Sequence, residues 1–203
     1  MQKNNPFFFV IGTHCCGKSS IIKRLANEGH IGFAGSEIGK DLYYQESFST
    51  AEQDENFEFR IADLELTRDT GIAIANSIAV SETWHPGNLA YALTRNPHCA
   101  DELIALYNKS PLKNNAVGIW LTLSEPQSII SKRTKTFSDN VAWACEFYTQ
   151  IQNNIEESLR LMGLRESVYI VSADSDQETV YQQVLSIVLN ASEAKEEIPE
   201  IKI

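Results

Sequence analysis

Apolar positions along the chain follow two rhythms. Short unbroken runs at Phe7 to Ile11, Ile31 to Ala34, Ile78 to Ser81, Val117 to Leu123 and Val168 to Val171 read as strands. A strand covered on both faces has no solvent side to force alternation. Between these runs, apolar residues recur three and four positions apart, the spacing of one helix face. Ile21, Ile22, Leu25 and Ala26 do so after Lys18, up to a stop at Gly29. Phe57, Ile61, Leu64 and Ile72 do so within Glu52 to Asn76, where Gly71 weakens the last turns by about 1 kcal/mol relative to alanine. A third long helix is expected from about Asn140 to Met162, stopped by Gly163.

Shorter helices are expected after Gly35-Ser36-Glu37, from near Asn88, after Glu125-Pro126, and from the loop Ser172 to Asp176 as far as about Leu189. Proline at an early helical position is tolerated, since the amide it lacks has no helical partner there. Strands alternating with helices predict a three-layer α/β fold, with a parallel five-stranded sheet flanked by helices. No repeat or linker divides the chain. Residues 1–190 read as one domain, and residues 191–203 as an acidic tail in which Glu193, Glu196, Glu197 and Glu200 accumulate without an apolar stripe.

Composition narrows the function classes. A chain of 203 residues, 43% hydrophobic and 22% charged, is ordinary for a folded globular protein. The formal net charge of -10 argues against a wide basic surface for duplex nucleic acid and favours small anions gripped locally. Four cysteines, two adjacent at Cys15 and Cys16, have neither zinc-site nor secreted-disulfide spacing and point to a reducing cytoplasm. The start of the chain is too short an apolar run for a signal peptide or membrane span. Self-association as a homodimer is left open.

The chemistry begins where the first strand ends. Gly12-Thr13-His14-Cys15-Cys16-Gly17-Lys18-Ser19 matches GxxxxGK[ST] between an apolar strand and an amphipathic helix, the context of a phosphate-binding P-loop. Glycines let the backbone curl around a β-phosphate, Lys18 reaches the β- and γ-phosphates, and Ser19 offers a hydroxyl to Mg²⁺. Ser20 continues the loop into the helix. The expected ligands are ATP and Mg²⁺. Near a helix N-terminus a thiol pKa can fall, so Cys15 and Cys16 are either redox-sensitive or small side chains that fill space.

Polar residues at the carboxyl ends of parallel strands are candidates for chemistry. Glu82 ends a strand and could hold Mg²⁺ through water. Glu37 follows another and could take a proton from an acceptor hydroxyl. Either could instead be a cap or a solvated loop acid. Lys132, Arg133 and Lys135 could close over the phosphates and stabilise transferring charge, Arg133 foremost, or could form an exposed helix end. Trp84, Tyr91 and Trp143 could stack on a base or belong to the core. His85 could contact the acceptor or be structural.

The order of these pieces, over most of residues 7 to 190, resembles the thymidylate kinase and deoxynucleoside kinase branch of P-loop kinases. Asn88-Leu89-Ala90-Tyr91 after the strand end is similar to the segment in which an Asp-Arg pair precedes Ala-Tyr. Glu65 to Arg68 resembles the helical stretch whose arginine touches the acceptor. Leu121-Thr122-Leu123 leading to Lys132, Arg133 and Lys135 resembles the strand and basic lid, and Val171-Ser172-Ala173-Asp174 the loop that packs on adenine. Gly12-Thr13-His14 and Glu37-Ile38-Gly39-Lys40 are more loosely similar to ribosylnicotinamide-type kinases.

The resemblance implies a P-loop NTPase fold and transfer of the γ-phosphoryl of ATP to a nucleoside monophosphate, nucleoside or similar hydroxyl compound. Lys18, Glu37, Arg68, Glu82 and Arg133 would be catalytic, and Ala173 would line the nucleotide site. Thr83 stands where thymidylate kinases place arginine, and Ala92 where they often place a base-reading glutamine, which leaves the acceptor open. Two alternatives remain: an ATPase or nucleotide switch acting on a protein partner, and a kinase homologue that has lost turnover. No guanine-reading Asn-Lys-x-Asp sequence is present.

Overall fold

The computed structural model describes residues 6–46, 55–75, 77–133 and 140–194. Strand β1 (Phe7–Gly12) is buried along its whole length, and its side chains alternate between two cores. Phe7, Phe9 and Ile11 enter one apolar cluster, while Phe8 and Val10 enter the other. This is why the sequence shows an unbroken apolar run there: a strand with period-two side chains and no wet face must be apolar at every position.

Around β1 lie β2 (Phe33–Gly35), β3 (Ala79–Glu82), β4 (Ala116–Thr122) and β5 (Val168–Ser172). They form one five-stranded sheet in the order β2-β3-β1-β4-β5, and every pairing is parallel. The sheet is tight at its centre, where a Cβ on Gly118 would meet Val168 Cγ2 at 2.5 Å and Phe9 Cζ at 2.6 Å.

The helices are α1 (Lys18–Asn27), α2 (Ile38–Glu46), α3 (Glu55–Ile74), α4 (Trp84–Arg95), α5 (Ala100–Tyr107), α6 (Pro126–Arg133), α7 (Val141–Leu161) and α8 (Gln177–Ala194). Ile21, Ile22 and Leu25 of α1 and Val180, Val184 and Val188 of α8 cover one face of the sheet. Ala62 and Ile72 of α3, Leu89 of α4, Leu103 of α5, and Ile151, Ile155 and Leu159 of α7 cover the other. The expected three-layer fold is the observed one. No helix among the described residues is long and apolar enough to cross a membrane.

Some elements differ from expectation. β2 starts at Phe33, because the amides of Gly32 and Phe33 both donate to the Ile78 carbonyl and turn the chain into the sheet. α4 starts at Trp84, ahead of Asn88, because Trp84 and His85 are anchored on Asp69 of α3. Trp84 Nε1 donates to Asp69 Oδ1 at 2.9 Å, and His85 Nε2 lies 3.1 Å from Asp69 Oδ2. The segment Glu82 to Gly87 looks like a turn in isolation, yet a buried acid from another helix winds it. α5 had no expected counterpart. α8 continues past Leu189 to Ala194, and residues 195–203 of the acidic tail lie outside the described residues.

Candidate functional site

β1 delivers the chain to its carboxyl end at Gly12, where side-chain volume is excluded. A Cβ there would meet the Leu121 carbonyl oxygen at 2.6 Å and Cys16 Sγ at 2.7 Å. Gly17, at φ 100, takes a left-handed conformation that admits glycine without strain. α1 starts at the next residue, so its first amides, which lack helical partners, lie beside the loop. Lys18 is buried and donates to the carbonyl oxygens of Gly12 at 3.0 Å and Thr13 at 3.1 Å. The Thr13 hydroxyl donates to the Tyr148 carbonyl of α7 at 2.5 Å.

β3 pairs with β1 so that Glu82 lies level with Val10, which brings its carboxylate up to the loop. Ser19 Oγ donates to Glu82 Oε1 at 2.9 Å, and Lys18 Nζ is 3.9 Å from the same oxygen. Just past Glu82, Thr83 (φ 71) and Trp84 (φ 54) both hold left-handed backbone, a costly state for residues with side chains. The Asp69 anchor on Trp84 and His85 compensates for it.

Glu37 lies half-buried between β2 and α2. Burial pushes its carboxyl pKa up and Glu82 adds to this, while Lys18 opposes both. Burial disfavours the Lys18 ammonium, yet Cys16, Glu37 and Glu82 outweigh it and raise the lysine pKa. At the carboxyl ends of β1, β2 and β3, Lys18, Glu37 and Glu82 thus influence one another's charge, and Ser19 is bonded to Glu82. Hydroxyl and carboxylate oxygens converging on one point form a hard donor set of the kind Mg²⁺ takes.

On the far side of Glu37, α4 and α7 supply aromatic groups. Tyr91 and Tyr148 have raised pKa values, Tyr148 at about 12, through burial first and Glu37 second. Phe147 stacks on Trp143, with centroids 4.9 Å apart. His14 stacks on Tyr148 at 4.6 Å, and burial, then Lys18 and Lys40, lower its pKa to about 4. Beside the loop, a solvent-open pocket is lined by residues including Cys15, Gly17, Ser20, Ile129, Ala173 and Tyr181. Arg24 also lines it, its guanidinium 3.7 Å from the centroid of the Tyr181 ring.

The remaining candidates fall as follows. Arg68 of α3 donates to the Ser36 carbonyl at 2.7 Å and to Glu65, beneath the β2–α2 turn that carries Glu37. Cys16 is buried, and burial raises its thiol pKa; Cys15 lines the pocket. Trp84 is fully buried in the core against Phe7 and Phe9. His85 is buried on Asp69. Trp143 is 41% exposed. Arg133 ends α6, but the side chains of Lys132 and Arg133, and all of Lys135, lie outside the described residues.

Three features escaped the sequence reading. They are the Asp69 anchor, the pairing of Arg95 with Glu58, and the Arg24–Tyr181 contact. Each joins residues far apart in the chain, and no local pattern marks them.

A family model described as an AAA domain matches residues 7–157, and the chain belongs to that family. No curated protein matches it. Among solved structures, NadR protein in complex with NR has a TM-score of 0.70 at 15% identity, covering 98% of this chain and 53% of that one; this chain thus spans about half of NadR. Thymidylate kinase from Candida albicans has a TM-score of 0.70 at 15% identity, covering 96% and 94% of the two chains. Deoxyadenosine kinase from M. mycoides with products dCMP and dCDP bound has 0.67 at 13%, covering 91% and 99%. The fold is that of the P-loop nucleoside and nucleotide kinases.

Proposed function

We propose that the protein is an ATP- and Mg²⁺-dependent kinase that transfers the γ-phosphoryl group to a nucleoside monophosphate, nucleoside or similar small hydroxyl compound. The observation that carries the reading is the meeting of Glu82 with Lys18 and Ser19 at the phosphate loop, with Glu37 electrostatically coupled to Lys18 and Glu82. A switch needs the phosphate loop and its metal-side acid. A kinase needs, in addition, a carboxylate placed to face an acceptor hydroxyl, and Glu37 fits that part.

In this reading the Lys18 ammonium exchanges the Gly12 and Thr13 carbonyl oxygens for β- and γ-phosphate oxygens, and the amides at the start of α1 receive the β-phosphate. Ser19 and Glu82 would hold Mg²⁺, which when bound supplies positive charge across the phosphate oxygens. Where the acceptor is a hydroxyl, Glu37 accepts its proton as that oxygen bonds to the γ-phosphorus and the bond from the γ-phosphorus to the β,γ-bridging oxygen breaks, releasing ADP. Arg68 positions Glu37 through Ser36, and Arg133, the last residue of α6, is assigned the stabilisation of the transferring charge.

The base of ATP lies in the pocket at Ala173, where Ile129, Val180 and the Tyr181 ring give a flat ligand apolar contact. The partner is a small molecule rather than duplex nucleic acid. The four free cysteines support a reducing compartment such as the cytoplasm, and we read residues 1–190 as one catalytic domain. Incubation with γ-labelled ATP, Mg²⁺ and pools of nucleosides, monophosphates and vitamin-like alcohols tests the reading. Label in a phosphorylated acceptor supports it; label only in inorganic phosphate favours the ATPase or switch.

A further inference from the structure

Arg95 and Asn96, where α4 ends, hold Glu58 of α3 between them. Arg95 Nε donates to Glu58 Oε1 at 2.8 Å, Arg95 Nη2 to Oε2 at 3.0 Å, and Asn96 Nδ2 to Oε1 at 3.1 Å. Glu58 is 2% exposed, so these buried bonds fix how α3 lies against the corner that follows α4. Glu55, the first residue of α3, stands three positions back on the same helix face. The corner itself is a 3-10 turn, Pro97–Cys99, between α4 and α5. The Cys99 amide closes it by donating to the Asn96 carbonyl at 3.0 Å.

Helix end and turn thereby bring together three side chains of different chemistry. His98 Nε2 lies 3.3 Å from Glu55 Oε2, and an imidazole nitrogen, a carboxylate oxygen and Cys99 Sγ all lie within 4.8 Å of one another. Cys99 is buried, and its thiol makes no hydrogen bond among the described residues. Burial first, and then Glu55, Glu58 and Glu102, push the thiol pKa up. Those acids make the surroundings negative, which favours a cation.

Thiolate sulfur, imidazole nitrogen and carboxylate oxygen are the donors that Zn²⁺ takes, at about 2.0 to 2.3 Å, which puts tetrahedral donors about 3.3 to 3.6 Å apart. Glu55 and His98 have exposed side chains, and their rotation closes the difference. Mg²⁺, argued for at Ser19 and Glu82, is a hard ion that selects oxygen. Three protein donors leave a fourth position for water. Cys99 would bind as thiolate, its proton passing to solvent. Cysteine spacing could not reveal such a site, because a single cysteine enters it and Glu55 comes from another helix.

We propose that Glu55, His98 and Cys99 form a Zn²⁺ site that clasps the start of α3 to the corner between α4 and α5. It shares no residue with the phosphate loop and stands or falls independently of the kinase reading. Equilibrium dialysis of the reduced full chain with Zn²⁺ in excess Mg²⁺ tests it, together with the absorption spectrum when Co²⁺ is the probe. The wild type is expected to take up Zn²⁺ and to give a thiolate-to-Co²⁺ charge-transfer band in the near ultraviolet. Cys99→Ser loses both. His98→Gln and Glu55→Gln change exposed side chains that the fold tolerates losing, and each weakens Zn²⁺ binding at least about 10-fold. These two decide the matter if Cys99→Ser fails to fold. No Zn²⁺ uptake by the wild type overturns the site, as does an affinity unchanged in any of the three variants, the result expected if Cys15 and Cys16 hold the ion instead.

Discussion

Ser19 Oγ donates a 2.9 Å hydrogen bond to Glu82 Oε1, joining the first turn of α1 to the end of β3. The two oxygens come from elements far apart in sequence, and the parallel pairing of β1 with β3 brings them together. If they hold Mg²⁺ as argued, Ser19→Ala raises the Mg²⁺ concentration needed for half-maximal rate. Glu82→Gln lowers kcat by about 100- to 1,000-fold, the range for loss of one group that stabilises transition-state charge. Mg²⁺ titration of both variants checks this, and an unshifted midpoint in Ser19→Ala counts against a metal role.

Glu37 can accept a proton only when ionised. Burial raises its pKa above the ordinary 4.5, Glu82 adds to the rise and Lys18 opposes it. The acid limb of the kcat/KM profile is therefore expected above that value, with activity falling as pH drops through it. Glu37→Gln abolishes the limb and lowers the rate by about 100- to 10,000-fold. A profile whose acid limb survives in Glu37→Gln assigns the base elsewhere.

His14 links pH to stability. Its pKa falls from 6.5 to about 4 in the folded chain, through burial first and then Lys18 and Lys40. A depressed folded pKa means that the unfolded state binds the proton more readily. The contribution is thus fully present above pH 6.5 and is lost as pH falls from 6.5 toward 4. His14→Gln should flatten the unfolding midpoint across this window; an unchanged slope rejects the assignment to His14.

Asp69 is fully buried and bonds Trp84, His85 and the Ser110 hydroxyl, the last at 2.5 Å. Asp69→Ala leaves these groups unpaired and removes the anchor of the left-handed Thr83-Trp84 corner. The expected loss is about 3 kcal/mol by denaturant unfolding. A loss within 0.5 kcal/mol, roughly the scale of a neutral surface change, contradicts the role given to Asp69.

What could be read from the sequence divides along physical lines. β1, the glycine loop and α1 were legible because their causes are local: an apolar run, a curl only glycine permits, and apolar residues at helical spacing. Glu82 and Glu37 were singled out by the rule about strand ends, and Glu82 does lie against Ser19 and Lys18. Glu58, Glu65 and Asp69 were not singled out as buried acids, because their partners Arg95, Asn88, Trp84 and His85 come from another helix. The same nonlocality hid the start of α4, where Trp84-His85-Pro86-Gly87 resembles a turn until Asp69 is placed beneath it. Thr83, noted as a departure in sequence, turned out to be half of that strained corner.

The fate of the γ-phosphoryl group in a single turnover tests the central claim most directly. With γ-labelled ATP, Mg²⁺ and a panel of nucleosides, monophosphates and vitamin-like alcohols, the account predicts label in a phosphorylated acceptor, formed by the wild type and reduced at least about 100-fold in Glu37→Gln while nucleotide binding persists. Label appearing only as inorganic phosphate, or remaining on ATP with every acceptor, would contradict it.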